Sequence, residues 1–374
     1  GRMMIFFKFD RRIFQHFDWT LLALVLGVCA IGVLNIYSTG FSAQEGQSPF
    51  YLKQIQWIAL GLIFMMIVFF IDYRDIIKGA YVIYGILVML LVCVLLFGYS
   101  SHGSQRWLGS GGFALQPSEL MKVIMIITLT RYFDDHRSSE PYKLKELWMP
   151  FLMVVAPFLL ILKQPDLGTA LVLVVIFVSI VFFIGVNWKS LIMVFAAGLI
   201  SIPIGWQFLK DYQKARLITF INPEHDPLGA GYHIIQSMIA IGSGEIFGKG
   251  FLSGSQTQLK FLPEQQTDFV FSVFAEEWGF IGGLILIVMF MAIIFWGLKI
   301  ALQARDLLGT ILAFGITAFI SWEFFINIGM VLGILPVVGI PLPFLSYGGS
   351  AMLSLMIAIG LLMNVSSRRF ILQR

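Results

Sequence analysis

Residues 167–186 read LGTALVLVVIFVSIVFFIGV, a run that contains no charged side chain. An α-helix needs about 20 consecutive apolar residues to cross the hydrocarbon core of a bilayer. Closed β-barrels also satisfy their backbone polar groups in lipid, but their strands alternate polar and apolar residues, and this run does not. The stretch therefore predicts a membrane-spanning helix.

The rest of the chain has the same character. Of its 374 residues, 58% are hydrophobic and 12% are charged, with a mean hydropathy of +0.88, whereas soluble domains carry about 25% charged residues. We predict an all-α polytopic membrane protein with about ten spans in one domain, residues 1–374. The spans are expected near Trp19–Tyr37, Gln54–Ile71, Gly79–Phe97, Ser118–Tyr132, Trp148–Leu162, Leu167–Val186, Leu191–Leu209, Phe269–Ile300, Leu307–Leu335 and Tyr347–Asn364.

Span lengths and loop charges add two expectations. The fourth and fifth spans are short, which fits partial burial among neighbouring helices rather than full contact with lipid. The eighth and ninth are long enough to tilt strongly or to project beyond the bilayer. Lys and Arg concentrate in one set of connections, and cytoplasmic loops carry that excess. Residues 1–18 and 365–374 are therefore predicted to be cytoplasmic, and residues 210–268 to form a large extracytoplasmic loop. The formal net charge of +4 is too small to indicate nucleic acid as a partner.

Ionisable residues at membrane depth are costly and thus functional candidates. The first group joins GSQRWLG at 103–109 to QPSELMK at 116–122. Glu119 and Lys122 are three residues apart near a predicted helix start, so they face the same way and can pair. They either form an ion pair that packs helices or line an outward cavity, where Lys122 and Arg106 meet an anionic ligand. Spacing alone does not decide between these alternatives.

Three further candidates lie in the connections. Asp166, in QPDLGT at 164–169, suits the first turn of a helix, so a capping role competes with a binding role. Arg216 adds a cation to the outer loop. The glycine-rich residues 242–250 either bring backbone close to a ligand or form a flexible linker. His225, Asp226 and His233 make no compact cluster, so a tight metal site is not expected.

The stretch FLPEQQTDFVFSVFAEEWG, at 261–279, places Asp268 where the outer loop meets the eighth span. A carboxylate surrounded by apolar groups becomes a better base; the alternative is a carboxylate that stabilises a helix N-terminus. Residues 334–350, ILPVVGIPLPFLSYGGS, cannot form a regular helix and make either a structured loop or a cavity lining. Four polar residues are expected to pair with groups on other helices: Glu276, Glu277, Glu323 and Asn327.

Together these segments resemble the SEDS family of polytopic glycan polymerases, most closely its RodA branch. The matching motifs, in order, are QRWL, QPSE with the following Lys122, QPDLGT, DPLGAGYHIIQS, AIGSG, GKG, FLPE with TDF and AEEWG, and GILPVVGIPLPFLSYGGS. They extend from one end of the chain to the other. Gln266 departs from the family, which often has His before Thr-Asp-Phe, so the resemblance supports no assisting histidine beside Asp268.

The resemblance implies a peptidoglycan glycosyltransferase of the bacterial inner membrane that polymerises lipid II for cell elongation and rod shape. It implies that Asp268 is catalytic and that the site faces the extracytoplasmic side. Positive groups must then stabilise the leaving pyrophosphate. The residues expected to bind substrate are Arg106, Glu119, Lys122, Asp166, Arg216 and Glu264.

Partners and cofactors follow from the same resemblance. The expected partner is a class B penicillin-binding protein, a transpeptidase that crosslinks the strands. A divalent cation, Mg²⁺ or Mn²⁺, could assist at the pyrophosphate, although the sequence shows no dedicated cage of ligands. Two alternatives remain: a lipid II flippase, because Pro/Gly-interrupted spans also mark transporter sites, and a scaffold without activity.

Overall fold

The computed structural model describes residues 15–42, 46–47, 50–101, 104–108, 114–208, 214, 218–220, 230–259, 261–262 and 264–369. Arg216, His225 and Asp226 lie outside the described residues, as does part of the predicted outer loop. The helices of the described part are α1 (Trp19–Gly40), α2 (Phe50–Phe70), α3 (Tyr73–Lys78), α4 (Ala80–Phe97), α5 (Pro117–Asp135), α6 (Trp148–Lys163), α7 (Leu167–Ile184), α8 (Trp188–Phe208), α9 (Ala230–Ser243), α10 (Ser255–Gln258), α11 (Val270–Leu302), α12 (Leu307–Val331) and α13 (Gly349–Arg368).

Short strands occupy two of the connections. In the described ranges they form two antiparallel hairpins, β1 (Phe41–Ser42) with β2 (Gly46–Gln47), and β3 (Tyr99–Ser101) with β4 (Ser104–Trp107). The second hairpin joins α4 to α5 and carries Arg106. It therefore fixes the QRWL motif beside the first turn of α5.

The helical membrane architecture predicted from the sequence is confirmed. Each of the ten expected spans coincides with one of the long helices α1, α2, α4 to α8 and α11 to α13. Seven helices of the described chain, α1, α2, α4, α7, α11, α12 and α13, are long and apolar enough to cross a membrane, and α6 is a shorter apolar helix. The polytopic fold thus follows from length and composition, which set helix number before any packing is considered.

The buried centre consists of α5, α12 and α13. These three helices contact one another, and most of their residues are buried. The short α5 is enclosed as expected. Partial burial is also found for α6, where Val154 and Ile161 are buried while Phe151 and Leu159 are exposed, because α6 packs from outside against α4, α5 and α7. The two short helices therefore differ in degree, since α5 is enclosed and α6 is peripheral.

The predicted eighth span is not one regular helix. Its backbone breaks at Gly279 (φ 66°, ψ −165°), a conformation that is essentially confined to glycine. The break divides α11 into a first segment, 270–278, and a longer second segment, 280–302. A helix end leaves N–H and C=O groups without intrahelical partners, so the break must be filled.

Residues 245–250 fill this break. The freed carbonyls of Glu276 and Glu277 accept hydrogen bonds from the N–H groups of Lys249 (3.0 Å) and Gly250 (3.0 Å). On the other side of the break, Phe280 N–H donates to Glu245 O (2.9 Å), and Ile281 N–H donates likewise to Ile246 O. A Cβ on Gly248 would lie 2.1 Å from Glu277 O. The glycine-rich segment is therefore not a flexible linker, because its backbone completes α11. Its approach to a ligand stays a prediction.

Candidate active site

Asp268 lies at the start of α11, in the turn that follows Glu264. Its N–H donates to Glu264 O (3.2 Å), and its side chain is half-buried. The predicted position at the junction of loop and span is thus confirmed. Two acidic groups occupy this turn, since exposed Glu264 accepts a hydrogen bond from the Thr267 hydroxyl at 3.2 Å. The role of Glu264 in substrate binding stays a prediction.

The backbone of this turn is held by hydrogen bonds to three consecutive carbonyls, those of residues 266–268. Each accepts a hydrogen bond from α12 or from the segment that follows it, and we call this arrangement the carbonyl clamp. Its bonds are Tyr347 N–H to Gln266 O (2.8 Å), Ser346 Oγ to Thr267 O (2.6 Å) and Asn327 Nδ2 to Asp268 O (2.9 Å). The segment 334–350 is therefore a structured loop that fixes the start of α11.

The loop 334–350 packs closely beside the Asp268 carboxylate, and the QPDLGT motif packs on this loop in turn. A Cβ on Gly339 (φ 72°) would lie 3.3 Å from Asp268 Oδ2, so this glycine leaves space beside the carboxylate. A Cβ on Gly168 would lie 2.6 Å from Val338 O. The QPDLGT motif therefore packs directly on the loop that borders Asp268, and only glycine permits this approach.

Arg106 and Asp166 are neighbours at the same end of the bundle. Arg106 donates from Nε to Gln164 O (3.2 Å) and from Nη2 to Pro165 O, and its Nη1 lies 3.8 Å from Asp166 Oδ1. The Arg106 side chain is 29% exposed. Backbone carbonyls thus orient the guanidinium at the edge of the site, where it can meet an anion.

Asp166 is buried and caps α7. Its carboxylate accepts from the Thr169 N–H (3.3 Å), the Thr169 hydroxyl (2.9 Å) and Gln116 Nε2 (3.0 Å). The capping role predicted from the sequence is confirmed. Contact with substrate stays a prediction, since the capping bonds already use both carboxylate oxygens.

Lys122 forms a buried triad with two carboxylates. Its Nζ lies 2.7 Å from Glu119 Oε2 and 2.5 Å from Glu323 Oε1, and its side chain is 1% exposed. The predicted pairing of Glu119 with Lys122 is confirmed, and Glu323 brings α12 into it. Burial of the ammonium supports the packing alternative, because an anionic ligand cannot reach it without displacing a carboxylate. Substrate binding by Glu119 and Lys122 stays a prediction.

The other acidic residues on α11 are structural, as expected. Glu276 is fully buried, and its carboxylate accepts from Lys249 Nζ (2.7 Å) and from the N–H groups of Gln256 (3.0 Å) and Thr257 (3.4 Å). Ser38 Oγ of α1 donates to Glu277. These bonds attach the loop before α11, and α1 as well, to the first segment of α11.

No metal cage is present among the residues that the structure describes, where no group of three His, Cys, Asp or Glu side chains is close enough to share an ion. The described residues therefore do not fit a metal held by protein ligands alone. His233 lies on α9, its ring 6.3 Å from that of Phe269. The divalent cation of the resemblance remains an expectation.

Sequence reasoning missed the carbonyl clamp. The sequence predicts that Asn327 pairs with polar groups on other helices, whereas its amide binds the backbone carbonyls of Asp268, in the turn before α11, and of Ile340, in the loop after α12. An amide in an apolar span is the available signal. The sequence gives no signal that Ser346 binds this turn, because a single serine in a loop can have many roles.

Comparison with known proteins matches these motifs to one family. The sequence profile of the FTSW_RODA_SPOVE cell cycle proteins matches residues 18–370. The chain is 41% identical to the peptidoglycan glycosyltransferase MrdB of Escherichia coli (strain K12), with 96% of each chain covered. It is 36% identical to the peptidoglycan glycosyltransferase RodA of Treponema pallidum (strain Nichols), with 95% of this chain and 98% of that one covered.

Solved structures give the same result. One, which concerns structural coordination of polymerization and crosslinking by a peptidoglycan synthase complex, contains a chain with a TM-score of 0.81 and 29% identity. The rod shape determining protein RodA of Thermus thermophilus has a TM-score of 0.70 and 26% identity. Each comparison covers 95% of this chain and 98% of the other. Because the profile and the relatives extend over nearly its whole length, the chain belongs to the FTSW_RODA_SPOVE family of cell cycle proteins.

Proposed function

We propose that this protein is a peptidoglycan glycosyltransferase that polymerises lipid II into glycan strands for cell elongation and rod shape. The observation that carries the proposal is the half-buried carboxylate of Asp268, held at the start of α11 by the carbonyl clamp. Relatives named as peptidoglycan glycosyltransferases along nearly the whole chain support it.

The reaction joins two lipid-linked sugars. The GlcNAc 4-hydroxyl of the acceptor attacks the anomeric carbon of the donor MurNAc, forming a C–O bond while the bond from that carbon to the lipid pyrophosphate breaks. Asp268 takes the hydroxyl proton as the attack develops, which is general base catalysis. The pyrophosphate leaves as an anion and needs little protonation, so one carboxylate suffices.

Arg106 is the described cation best placed to stabilise the leaving pyrophosphate. Its guanidinium is partly exposed at the edge of the site, whereas Lys122 is enclosed by carboxylates. An Arg fork binds phosphate oxygens in a bidentate manner. We assign no step to a metal ion, because the described residues offer no set of ligands.

The protein acts in the membrane of a bacterium. We place both termini in the cytoplasm and Asp268 on the extracytoplasmic side, on the basis of the Lys and Arg distribution in the connections. A class B penicillin-binding protein that crosslinks the strands is the partner. A structural relative of this chain belongs to a complex that coordinates polymerization with crosslinking, which supports the pairing.

The flippase alternative requires a polar path through the bundle. Buried ionisable groups on α5, α11 and α12 were the feature in its favour, and each is now seen in contact with a specific partner. Lys122 is paired with Glu119 and Glu323, and Glu276 with Lys249. Such pairs satisfy one another, so they favour an enzyme over a transporter.

The test compares two aspartates replaced by the same isosteric amide. Asp268→Asn and Asp306→Asn are purified with the partner, and glycan formation from lipid II is measured. Asp268→Asn should lose turnover about 10²- to 10⁴-fold, the contribution of a general base, whereas Asp306→Asn, at the other end of α11 and α12, should keep its turnover per folded molecule. Normal polymerisation by Asp268→Asn would exclude the proposed role. Translocation of lipid II without glycan formation by the native protein would favour the flippase.

A further inference from the structure

Among the three donors of the carbonyl clamp, Asn327 is distinct. Tyr347 and Ser346 belong to the loop itself, whereas Asn327 belongs to α12, one turn beyond Glu323 of the buried triad. Its side-chain amide donates one hydrogen bond to Asp268 O (2.9 Å) and one to Ile340 O (2.7 Å). A single buried side chain therefore links the start of α11 to the loop that borders the Asp268 carboxylate.

The orientation of this amide is determined by its surroundings. Two carbonyl oxygens face the same side-chain atom, and only the NH₂ group can donate to both. Asn327 is fully buried, and in the described part of the chain its Oδ1 has no hydrogen-bond partner. Burying Oδ1 without a partner costs free energy. The two hydrogen bonds donated by the amide offset this cost.

The second contact places the loop beside the carboxylate. Ile340 follows Gly339, whose missing side chain leaves the space next to Asp268 Oδ2. By holding Ile340 O and Asp268 O on one amide, Asn327 sets the distance between this loop and the Asp268 backbone. Loss of the amide releases both carbonyls at once.

We infer that Asn327 is a positioning residue for Asp268: it contacts no reacting atom and acts by fixing the main chain that carries the base. The inference rests on the proposed function, in which Asp268 takes a proton. A displacement of about 1 Å from the productive geometry can cost about 100-fold in rate. The expected effect is therefore on kcat, with substrate affinity retained.

The chain provides a matched control. Asn364 is also fully buried in a long helix, α13, and its amide donates to the backbone carbonyls of Val68 (2.8 Å), Phe69 (3.1 Å) and Ile71, while its Oδ1 accepts from Arg368 Nε (2.8 Å). It lies at the opposite end of the bundle, where α2 ends and α3 begins. Asn364→Ala therefore removes more buried hydrogen bonds than Asn327→Ala, from a region that the reaction does not involve, which makes it a stringent control for a general loss of stability.

The experiment measures initial rates of glycan formation against lipid II concentration, with the partner present, for native protein, Asn327→Ala, Asn327→Asp and Asn364→Ala. Unfolding is measured on the same samples. We expect Asn327→Ala to lower kcat about 10- to 100-fold with KM within about twofold. Asn364→Ala should lower the unfolding temperature by at least as much as Asn327→Ala, with kcat within about twofold. Asn327→Asp keeps the side-chain size but loses amide donors, so it should also lose kcat, and it decides the matter if the alanine variant does not fold.

Native kcat in a folded Asn327→Asp or Asn327→Ala protein would overturn the inference. An equal loss of kcat in Asn364→Ala would also overturn it, because a general loss of stability would then explain both. Asp268→Asn in the same assay separates the two proposals. If Asp268→Asn is inactive while the Asn327 variants are normal, only the positioning role fails; if Asp268→Asn is active, the proposed catalytic base fails.

Discussion

Two aspartates at opposite ends of α11, Asp268 and Asp306, are held through different atoms. At the site end, where α11 begins, neutral donors of the carbonyl clamp bind main-chain oxygens. At the opposite end, where α11 ends, charged side chains pair: Arg74 Nη2 lies 2.8 Å from Asp306 Oδ2, and Arg368 Nη1 lies 3.2 Å from Asp72 Oδ2. The main-chain oxygen of Asp268 thus accepts from a neutral amide, whereas the carboxylate of Asp306 accepts from a charged guanidinium.

The two arrangements use different atoms of the two aspartates. Asp306 accepts bonds from Arg74 and Tyr73, as expected of a structural residue. The backbone carbonyl of Asp268 instead accepts from Asn327 Nδ2 at 2.9 Å, which fixes the main chain that carries the carboxylate.

The largest expected effect is on the free energy of unfolding. It appears when the loss of a lysine at the site end is compared with the loss of an arginine at the opposite end. Lys122→Met leaves Glu119 and Glu323 buried beside each other, and breaking a buried ion pair costs about 3–5 kcal/mol. Arg74→Met removes a cation that is 22% exposed, and such pairs contribute about 1 kcal/mol or less. Denaturant unfolding in detergent should show this difference in the free energy of unfolding.

A compensated variant checks the cause. Lys122→Met combined with Glu119→Gln and Glu323→Gln removes all three charges of the triad, so it should recover most of the stability lost by Lys122→Met alone. If Lys122→Met unfolds like the native protein, the triad does not stabilise the bundle. Lys122 would then be available for a ligand, as the cavity alternative proposes.

The next effect concerns the two segments of α11. Gly279→Ala forces a Cβ into the conformation at the helix break, where it would lie 2.2 Å from Gly248 N. We expect a loss of about 1–3 kcal/mol or more in the free energy of unfolding. Gly283→Ala, four residues along the same helix, meets only the ring of Phe271 at 3.5 Å, so it should be tolerated. Equal tolerance of both substitutions would show that the break is not required.

Helix number and position were predictable because hydropathy and length determine them locally. Asp166 as a cap and Glu119 with Lys122 as a pair were predictable for the same reason, since each interaction spans three residues. These confirmed features share short separations along the chain. The catalytic role of Asp268 rests on its motif and stays a prediction.

The break at Gly279 and the carbonyl clamp were not predictable from the sequence alone. Each depends on a segment far along the chain: residues 245–250 complete α11, and Asn327 reaches Asp268 from 59 positions away. Hydropathy gives no sign of such pairing, because the apolar run 270–302 reads as one helix. Backbone groups that find partners in another segment are visible only in three dimensions.

The smallest effect tests the opposite end through pH. Burial, followed by the charge of Asp306, raises the pKa of the Tyr73 phenol, which donates to Asp306 Oδ1 at 2.8 Å. The folded protein therefore holds this proton more tightly than the unfolded chain, so the contribution of Tyr73 is complete below about pH 10 and is lost as the pH rises above that value. At pH 8, Tyr73→Phe should be less stable than native protein by about 1 kcal/mol, and the difference should shrink towards pH 11. A difference that stays constant or grows with pH would mean that the hydroxyl does not hold Asp306. Polymerisation by Tyr73→Phe at neutral pH should be unchanged, because the ion pairs of this end do not reach the carbonyl clamp.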